Sequence, residues 1–212
     1  MPDTVSIVIH VVDDDTAFRR SLAFLLDSVG WRVATHASAD DFLVACPELP
    51  PDLGCLVLDI RMPSMSGLEL QQTLRSRGWS VPIVFMTGHG DIELAVQAMK
   101  MGASDFLEKP FKDQAMLDAV SAAVRRGSAE RTEAAQRASA RATLDKLSPR
   151  EHEVARLVAL GHPNKVVARE LEISEKTVHI HRQHVMEKAG ISSAAELARL
   201  MLRADPKALD EG

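Results

Sequence analysis

The 212-residue chain is predicted to form an α/β domain, a doubly wound five-stranded parallel sheet, followed by a small all-α domain of four helices. Three observations carry this. Over residues 1–126, short apolar runs alternate with amphipathic stretches at helical spacing, the pattern of successive βα units. The runs are nearly continuously apolar, as strands covered on both faces require. From Leu147 onward the apolar period is helical throughout.

The apolar runs are Ile7–Val12, Arg32–His36, Cys55–Leu58, Pro82–Met86 and Ser104–Leu107. Phe18, Leu22, Leu25, Leu26 and Val29 recur at helical spacing, as do Ile92, Ala95, Val96 and Met99. Leu117, Val120 and Val124 mark the last helix of this part. Gly30, Gly78 and Gly102 fall just past helices, where a left-handed cap favours glycine. Residues 127–146 (GSAERTEAAQRASARATLDK) are alanine-rich and charged, with no large apolar residue before Leu144. They read as a solvated helical linker; a weak helix pairing with its copy is the alternative. In the domain 147–212, Ser148-Pro149-Arg150-Glu151 has the form of a capping box with proline at the first helical position, and Gly161 ends that helix. Pro163–Leu171 is a second helix, Glu172–Ser174 a turn, Glu175–Ala189 a third helix ended by Gly190, and Ser192–Arg203 a fourth. The tail beyond Ala204 is expected to fray.

Apolar residues make up 46% and charged residues 26%, the mix of a globular protein. No apolar run approaches the roughly 20 residues of a membrane span. Ile7–Val12 follows no basic segment and runs into three aspartates, unlike a signal peptide. Cys46 and Cys55, in apolar contexts, read as buried free thiols, not as a disulfide or a metal site. These features fit a cytoplasmic protein without a membrane partner. The net charge of −5 divides unevenly: residues 1–126 hold 17 acidic and 11 basic residues (−6), 127–146 hold 3 and 4 (+1), and 147–212 hold 10 and 10 (zero). Any basic surface must therefore come from local clustering.

In a parallel sheet the site lies beyond the carboxyl ends of the strands, and four strand ends carry reactive residues. The first run leads into Asp13, Asp14 and Asp15; the third ends at Asp59, the fourth at Thr87, and Lys109-Pro110 follows the fifth. Clustered carboxylates with few cations need a positive partner. Hard oxygen ligands with room for water suit Mg²⁺. A carboxylate beside Mg²⁺ can attack a phosphoryl group and form an aspartyl phosphate, with Lys109 neutralising one phosphoryl oxygen and Thr87 donating to another. Asp15 is expected to cap the first helix. Solvated acidic loops are the plain alternative for any one residue; the conjunction at successive strand ends favours a site.

The elements VVDDD, VLDIRMPSMSGLEL, VFMTGHG and FLEKPF, in this order and spacing, resemble the receiver domain of two-component response regulators over residues 5–125. The resemblance implies a flavodoxin-like sheet and a metal site from Asp13, Asp14, Asp59 and the backbone carbonyl of Arg61. It makes Asp59 the phosphoacceptor, Thr87 the switch hydroxyl, Lys109 the phosphate partner and Phe106 the switch aromatic. It also implies a cis peptide before Pro110 and a sensor histidine kinase as phosphodonor.

On the third helix of the last domain, counting 100° per residue, Val178, Val185 and Ala189 lie within about 20° of one direction, the core face. Lys176, His179, Ile180, Gln183 and Glu187 face the opposite way. An outward isoleucine among polar residues suits a major groove, where apolar groups touch thymine methyls and glutamine pairs with adenine. Lys165, Arg169, Lys176, Arg182 and Lys188 are placed to reach phosphates or flank the groove. The pattern alone leaves a small helical interaction domain equally open. The stretch LSPREHEVARLVALGHPNKVVARELEISEKTVHIHRQHVMEKAGI resembles the LuxR-type helix-turn-helix over 147–204, and the whole chain is similar to the FixJ branch of the FixJ/NarL regulators. The resemblance puts base contacts on His179, Ile180 and Gln183 and backbone contacts on Lys165, Lys176 and Thr177. Several relatives carry lysine where this chain has His179 and Gln183, which points to a less salt-steered grip. His179, His181 and His184 are spread around the helix with no second ligand cluster, so contact and core roles are favoured over zinc.

The resulting expectation is a non-enzyme: a transcription regulator switched by Mg²⁺-dependent phosphorylation of Asp59, dimeric when phosphorylated through the surface Asp91–Arg126, and bound to a double-stranded operator. RNA polymerase would be a further partner. A Mg²⁺-dependent phosphohydrolase would want a general acid close after Asp59, where Ile60 and Arg61 stand. A receiver serving only as a dimerisation scaffold would not need Asp14, Asp59, Thr87 and Lys109 together.

Overall fold

The computed structural model describes residues 7–88 and 92–210. Asp91, at the edge of the expected pairing surface, and the start of the VVDDD-containing match at residue 5 lie outside them, as do His89 and Gly90 of VFMTGHG. The chain divides into two compact units, residues 1–130 and 131–212.

In the first unit five strands, β1 (Val8–Val12), β2 (Arg32–His36), β3 (Leu53–Asp59), β4 (Ile83–Thr87) and β5 (Asp105–Glu108), alternate with helices α1 (Thr16–Ser28), α2 (Ala39–Ala45), α3 (Gly67–Ser76), α4 (Ile92–Lys100) and α5 (Asp113–Leu144). All pairings are parallel and the order is β2-β1-β3-β4-β5. β1, β3 and β4 are buried along their whole length, whereas the edge strands β2 and β5 are partly open. This accounts for their continuous apolar runs. Successive side chains feed opposite faces. Ile9, Val11, Cys55, Val57, Val84 and Met86 pack with Leu22 and Leu26 of α1 and Met116 and Val120 of α5. Val12, Leu56, Leu58 and Phe85 pack with Phe42 of α2, Leu70 and Leu74 of α3 and Ala98 of α4. Each such fully buried large side chain contributes about 1.5–3 kcal/mol against exposure. The glycines expected as caps, Gly30, Gly78 and Gly102, have positive φ.

The face bearing Phe42 also buries a polar pair that the strand pattern does not reveal. His10 Nδ1 and His36 Nε2 lie 3.0 Å apart, and both rings meet Phe42 edge-on. Burial, reinforced by the neighbouring His10, holds His36 down to about 4, and burial also lowers His10, so both rings are neutral at neutral pH and one donates its N–H to the other.

The second unit contains α6 (Pro149–Ala159), α7 (Asn164–Glu170), α8 (Glu175–Ala189) and α9 (Ala194–Ala204). The Ser148–Glu151 capping box forms with Pro149 inside it, and Gly190 caps α8 in the left-handed region at φ 64°. Residues 127–144 of the expected helical linker 127–146 are the continuation of α5. Most of that stretch is exposed, but Ala140 and Leu144 are buried with Val154, Leu157 and Leu197, and Arg141 Nε donates to the Ala204 carbonyl at 3.0 Å. The fraying expected beyond Ala204 is corrected. Asp205–Asp210 folds into turns, Ala208 and Leu209 pack on the same core, and Arg156 donates to the Asp210 carbonyl at 3.2 Å. Two apolar residues in a short polar tail gave too weak a periodicity to foresee this.

Candidate functional site

At the carboxyl edge of the sheet, β1 runs directly into Asp13, which is fully buried, and Asp14, which is exposed. Asp15 turns away to cap α1, accepting from the amides of Ala17 and Phe18 at 2.8 and 3.0 Å. Asp59 is the last residue of β3, and carboxylate oxygens of Asp13, Asp14 and Asp59 lie within 4.8 Å of one another. Lys109 reaches back from beyond β5. Its Nζ is 2.7 Å from Asp13 Oδ2 and 3.3 Å from Asp59 Oδ2, and it sits 4.1 Å over the ring of Phe18. The Lys109 amide donates to the Thr87 carbonyl at 2.7 Å, and the Lys109–Pro110 peptide is cis.

Two of the three carboxylates, Asp13 and Asp59, therefore share the Lys109 ammonium. Burial pushes the Asp59 carboxyl above its ordinary range and nearby Asp13 adds to this, while Lys109 and the Arg61 amide pull the other way. A site with this residual negative charge, hard oxygen donors and one solvent-facing carboxylate is compatible with a divalent cation. Thr87, 1% exposed, ends β4 beside β3. Phe106, paired with Phe85 on β5, is half-buried against the α2–α4 side of the core. Arg61 is in the loop immediately after Asp59 and is exposed.

The loop's return is set by Gly67. Its amide donates to the Ile60 carbonyl at 2.9 Å, and a Cβ at this position would stand 2.3 Å from the Asp59 carbonyl oxygen. A complete capping box between Ser66 and Glu69 starts α3 at that point. Sequence reasoning placed at the site neither Gly67, nor Phe18, read only as part of the apolar face of the first helix, nor Arg19, whose Nη1 donates to the Asp13 carbonyl at 2.5 Å. Only SGLEL, read as a helix start, could have signalled Gly67.

In the second unit, Val178 and Val185 of α8 are buried and Ala189 is half-buried. Lys176, His179, Ile180, Gln183 and Glu187 are exposed, Ile180 to 43%. Lys165 and Arg169 are exposed on α7. Thr177 is half-buried, its hydroxyl 2.8 Å from that of the N-cap Ser174. Arg182 Nη1 donates to Asn164 Oδ1 at 3.3 Å, tying α8 to α7. Lys188, expected to reach phosphates or flank the groove, has its Nζ donating to Glu151 Oε2 at 2.7 Å. Glu151 is 4% exposed and also accepts from the Ser148 amide, so the charge is drawn to its own fold. No helix among the described residues is long and apolar enough to cross a membrane.

Residues 9–121 match the family described as response regulator receiver domain, and residues 145–201 match bacterial regulatory proteins of the luxR family. The transcriptional regulatory protein FixJ of Azorhizobium caulinodans is 45% identical over 211 residues, covering 100% of this chain and 98% of the relative. Among solved structures, the response regulator StyR superposes with a TM-score of 0.81 at 41% identity, over 92% of this chain and 98% of that one. Full-length FixJ from B. japonicum does so with a TM-score of 0.60 at 43% identity, over 95% and 98%.

Proposed function

The chain belongs to the two-component response regulators that join a receiver to a LuxR-type DNA-binding domain, and we propose that Asp59 is its phosphoacceptor. The carrying observation is the cluster of Asp13, Asp14 and Asp59 bridged by Lys109 at the carboxyl edge of the sheet. Working limits are a receiver at 1–126, a helical linker at 127–146 and a DNA-binding domain at 147–212.

Asp13, Asp14, Asp59 and the Arg61 carbonyl would hold Mg²⁺, which offsets the negative charge that develops during phosphoryl transfer. Asp59, deprotonated and held by Lys109, presents the nucleophilic oxygen. Its attack forms the Asp59 O–P bond as the bond to the kinase histidine, or to the acetate of acetyl phosphate, breaks. Lys109 then neutralises a phosphoryl oxygen, and the Thr87 hydroxyl donates to another. This is modification of the chain's own carboxylate, and the chain is accordingly a regulator and not an enzyme.

The phosphoryl group brings roughly −1.5 to −2 charges. Thr87 moving toward it opens space for Phe106, which alters the surface from residue 91 to Arg126. That surface pairs with its copy and brings two α8 helices onto half-sites about one helical turn apart. Shifting a receiver from 1% to 99% active takes about 5.5 kcal/mol, supplied jointly by phosphate contacts and dimerisation. Lys165, Lys176, Thr177 and Arg182 serve the DNA backbone, and His179, Ile180 and Gln183 the bases. The setting is cytoplasmic, with a sensor histidine kinase upstream and RNA polymerase as a downstream partner.

The test is sedimentation and operator binding with and without acetyl phosphate and Mg²⁺, for wild type, Asp59→Asn and Thr87→Ala. Asp59→Asn should take no label, and Thr87→Ala should take label but dimerise poorly. A labelled wild type that stays monomeric and binds DNA no better than Asp59→Asn overturns the coupling; undiminished labelling of Asp59→Asn overturns the site.

A further inference from the structure

The first turn of α6 grips both helices of the DNA-binding motif. Arg150 donates to the carbonyl of Leu171, at the end of α7. Next to it, Glu151 accepts from Lys188 Nζ at 2.7 Å through Oε2, and its Oε1 lies 3.7 Å from His184 Nδ1. The Glu151 side chain is 5% exposed, against 42% for Lys188 and 51% for His184. The grip therefore has a buried end on α6 and a solvated end on α8. The Lys188 hydrogen bond, seconded by the Ser148 amide, holds the Glu151 carboxyl down to about 2, so it is charged at every working pH.

Counting 100° per residue along α8, His184 and Lys188 lie about 40° apart on one flank. They stand about 70–110° from the mean buried direction of Val178 and Val185, and as far from the mean outer direction of Ile180 and Gln183. The core face of α8 rests on Val178 and Val185, with Met186 and Ala189 half-buried beside them and Arg182 tied to Asn164. On the His184–Lys188 flank the buried anchor is Glu151; loss of that anchor permits small rotations of the helix. A rotation of about 20° moves a side-chain tip some 6 Å from the axis by about 2 Å, enough to break a bidentate base contact.

We propose that Glu151 is the positioning residue of the DNA-reading helix, fixing the rotation of α8 through Lys188 and His184 and withholding the Lys188 ammonium from the DNA backbone. This rests on α8 being the helix that reads bases. Glu151 touches no DNA; its effect passes entirely through α8.

The experiment uses the full chain phosphorylated with acetyl phosphate and Mg²⁺. Binding to the DNA that wild type selects, and to random DNA, is measured across a salt series. In Glu151→Gln the amide oxygen can still accept from Ser148, so the cap survives while the charge on Lys188 is released. Its preference for selected over random DNA should fall about tenfold, and its salt slope should steepen by about one as Lys188 finds a phosphate. Lys188→Met should lose preference similarly with the slope unchanged, and the double variant should resemble Lys188→Met. A Lys188→Met slope shallower by about one would mean that Lys188 already contacts phosphate, and the proposal fails. It fails also if Glu151→Gln lowers only the melting temperature. If Glu151→Gln does not fold, Lys188→Met decides alone. Gln183→Ala is the control: if it leaves base preference untouched, the assignment of α8 fails, and the proposal with it.

Discussion

Gly67→Ala sets two known effects against each other at the phosphoacceptor. Gly67 is the first residue of α3, and alanine there would gain about 1 kcal/mol of helix propensity if nothing intervened. The structure intervenes. The new methyl would stand 2.3 Å from the Asp59 carbonyl oxygen and 3.1 Å from Ile60 Cα. Both neighbours are backbone, so no side chain can rotate clear, and relief requires α3 and the end of β3 to part by about 1 Å. Overpacking of this kind costs about 1–3 kcal/mol, so the clash wins and the net stability loss should be about 1–2 kcal/mol. The effect on chemistry is larger. A displacement of about 1 Å at a reacting group can cost about 100-fold, and Asp59 carries the displaced carbonyl. The assay is the initial rate of labelling by acetyl phosphate at fixed Mg²⁺, with thermal unfolding alongside. Ser66→Ala is the control: it removes the α3 cap, costing about 1 kcal/mol, without touching Asp59. If Gly67→Ala labels within about threefold of wild type, Gly67 does not position Asp59 and the reasoning is wrong.

Burial raises the Asp59 carboxyl above its unfolded value, so ionising it costs the fold stability, and its contribution is full in acid and lost as pH rises through the raised value. Asp59→Asn should thus raise the melting temperature at pH 7 in Mg²⁺-free buffer, with the gain shrinking toward pH 4; an equal gain at both pH values would contradict this. Ser64 holds φ 67° in the exposed β3–α3 loop. Left-handed backbone costs a non-glycine residue roughly 1–2 kcal/mol, and glycine's extra unfolded-state freedom takes back about 0.5–1. Ser64→Gly should therefore stabilise by about 0.5–1 kcal/mol in chemical denaturation, and a loss would refute the strain. Gln183→Ala should relax preference at one base position at a cost of about 1–3 kcal/mol. Lys176→Ala should weaken all sequences alike and lower the salt slope by about one, and identical behaviour of the two in a binding selection would mean that the outer face is misassigned.

The strands and most helix ends were legible because burial on both faces and capping chemistry leave local marks. Asp13, Asp59, Thr87 and Lys109 could be placed at one sheet edge because parallel βα units deliver every strand's carboxyl end to the same side. Contacts made through three dimensions were not legible. That Gly67 lies against the Asp59 carbonyl, that Phe18 lies beneath the Lys109 ammonium and that His10 and His36 are hydrogen-bonded to each other are products of packing with no periodic trace. The partner of Lys188 was hidden for the same reason. Nothing in the local spacing of α8 reveals that its cation has a buried carboxylate partner 37 residues away in sequence.

The two cysteines give the chain a chemical clock. Cys55 sits at the centre of β3 with no exposure, its thiol pushed by burial up to about 12, and Cys46 is 5% exposed with its thiol also raised. Alkylating reagents attack the thiolate, and at pH 8 a thiol of that kind is ionised in only about one molecule in 10⁴. Modification of Cys55 must therefore wait until the central strand opens. Both cysteines precede residue 131, and the second unit has none. The rate at which a maleimide consumes Cys55 in the native chain thus times the opening of the first unit alone, without an engineered probe. Any ligand that favours the closed form, a divalent cation or a phosphoryl group included, slows that clock in proportion to its occupancy.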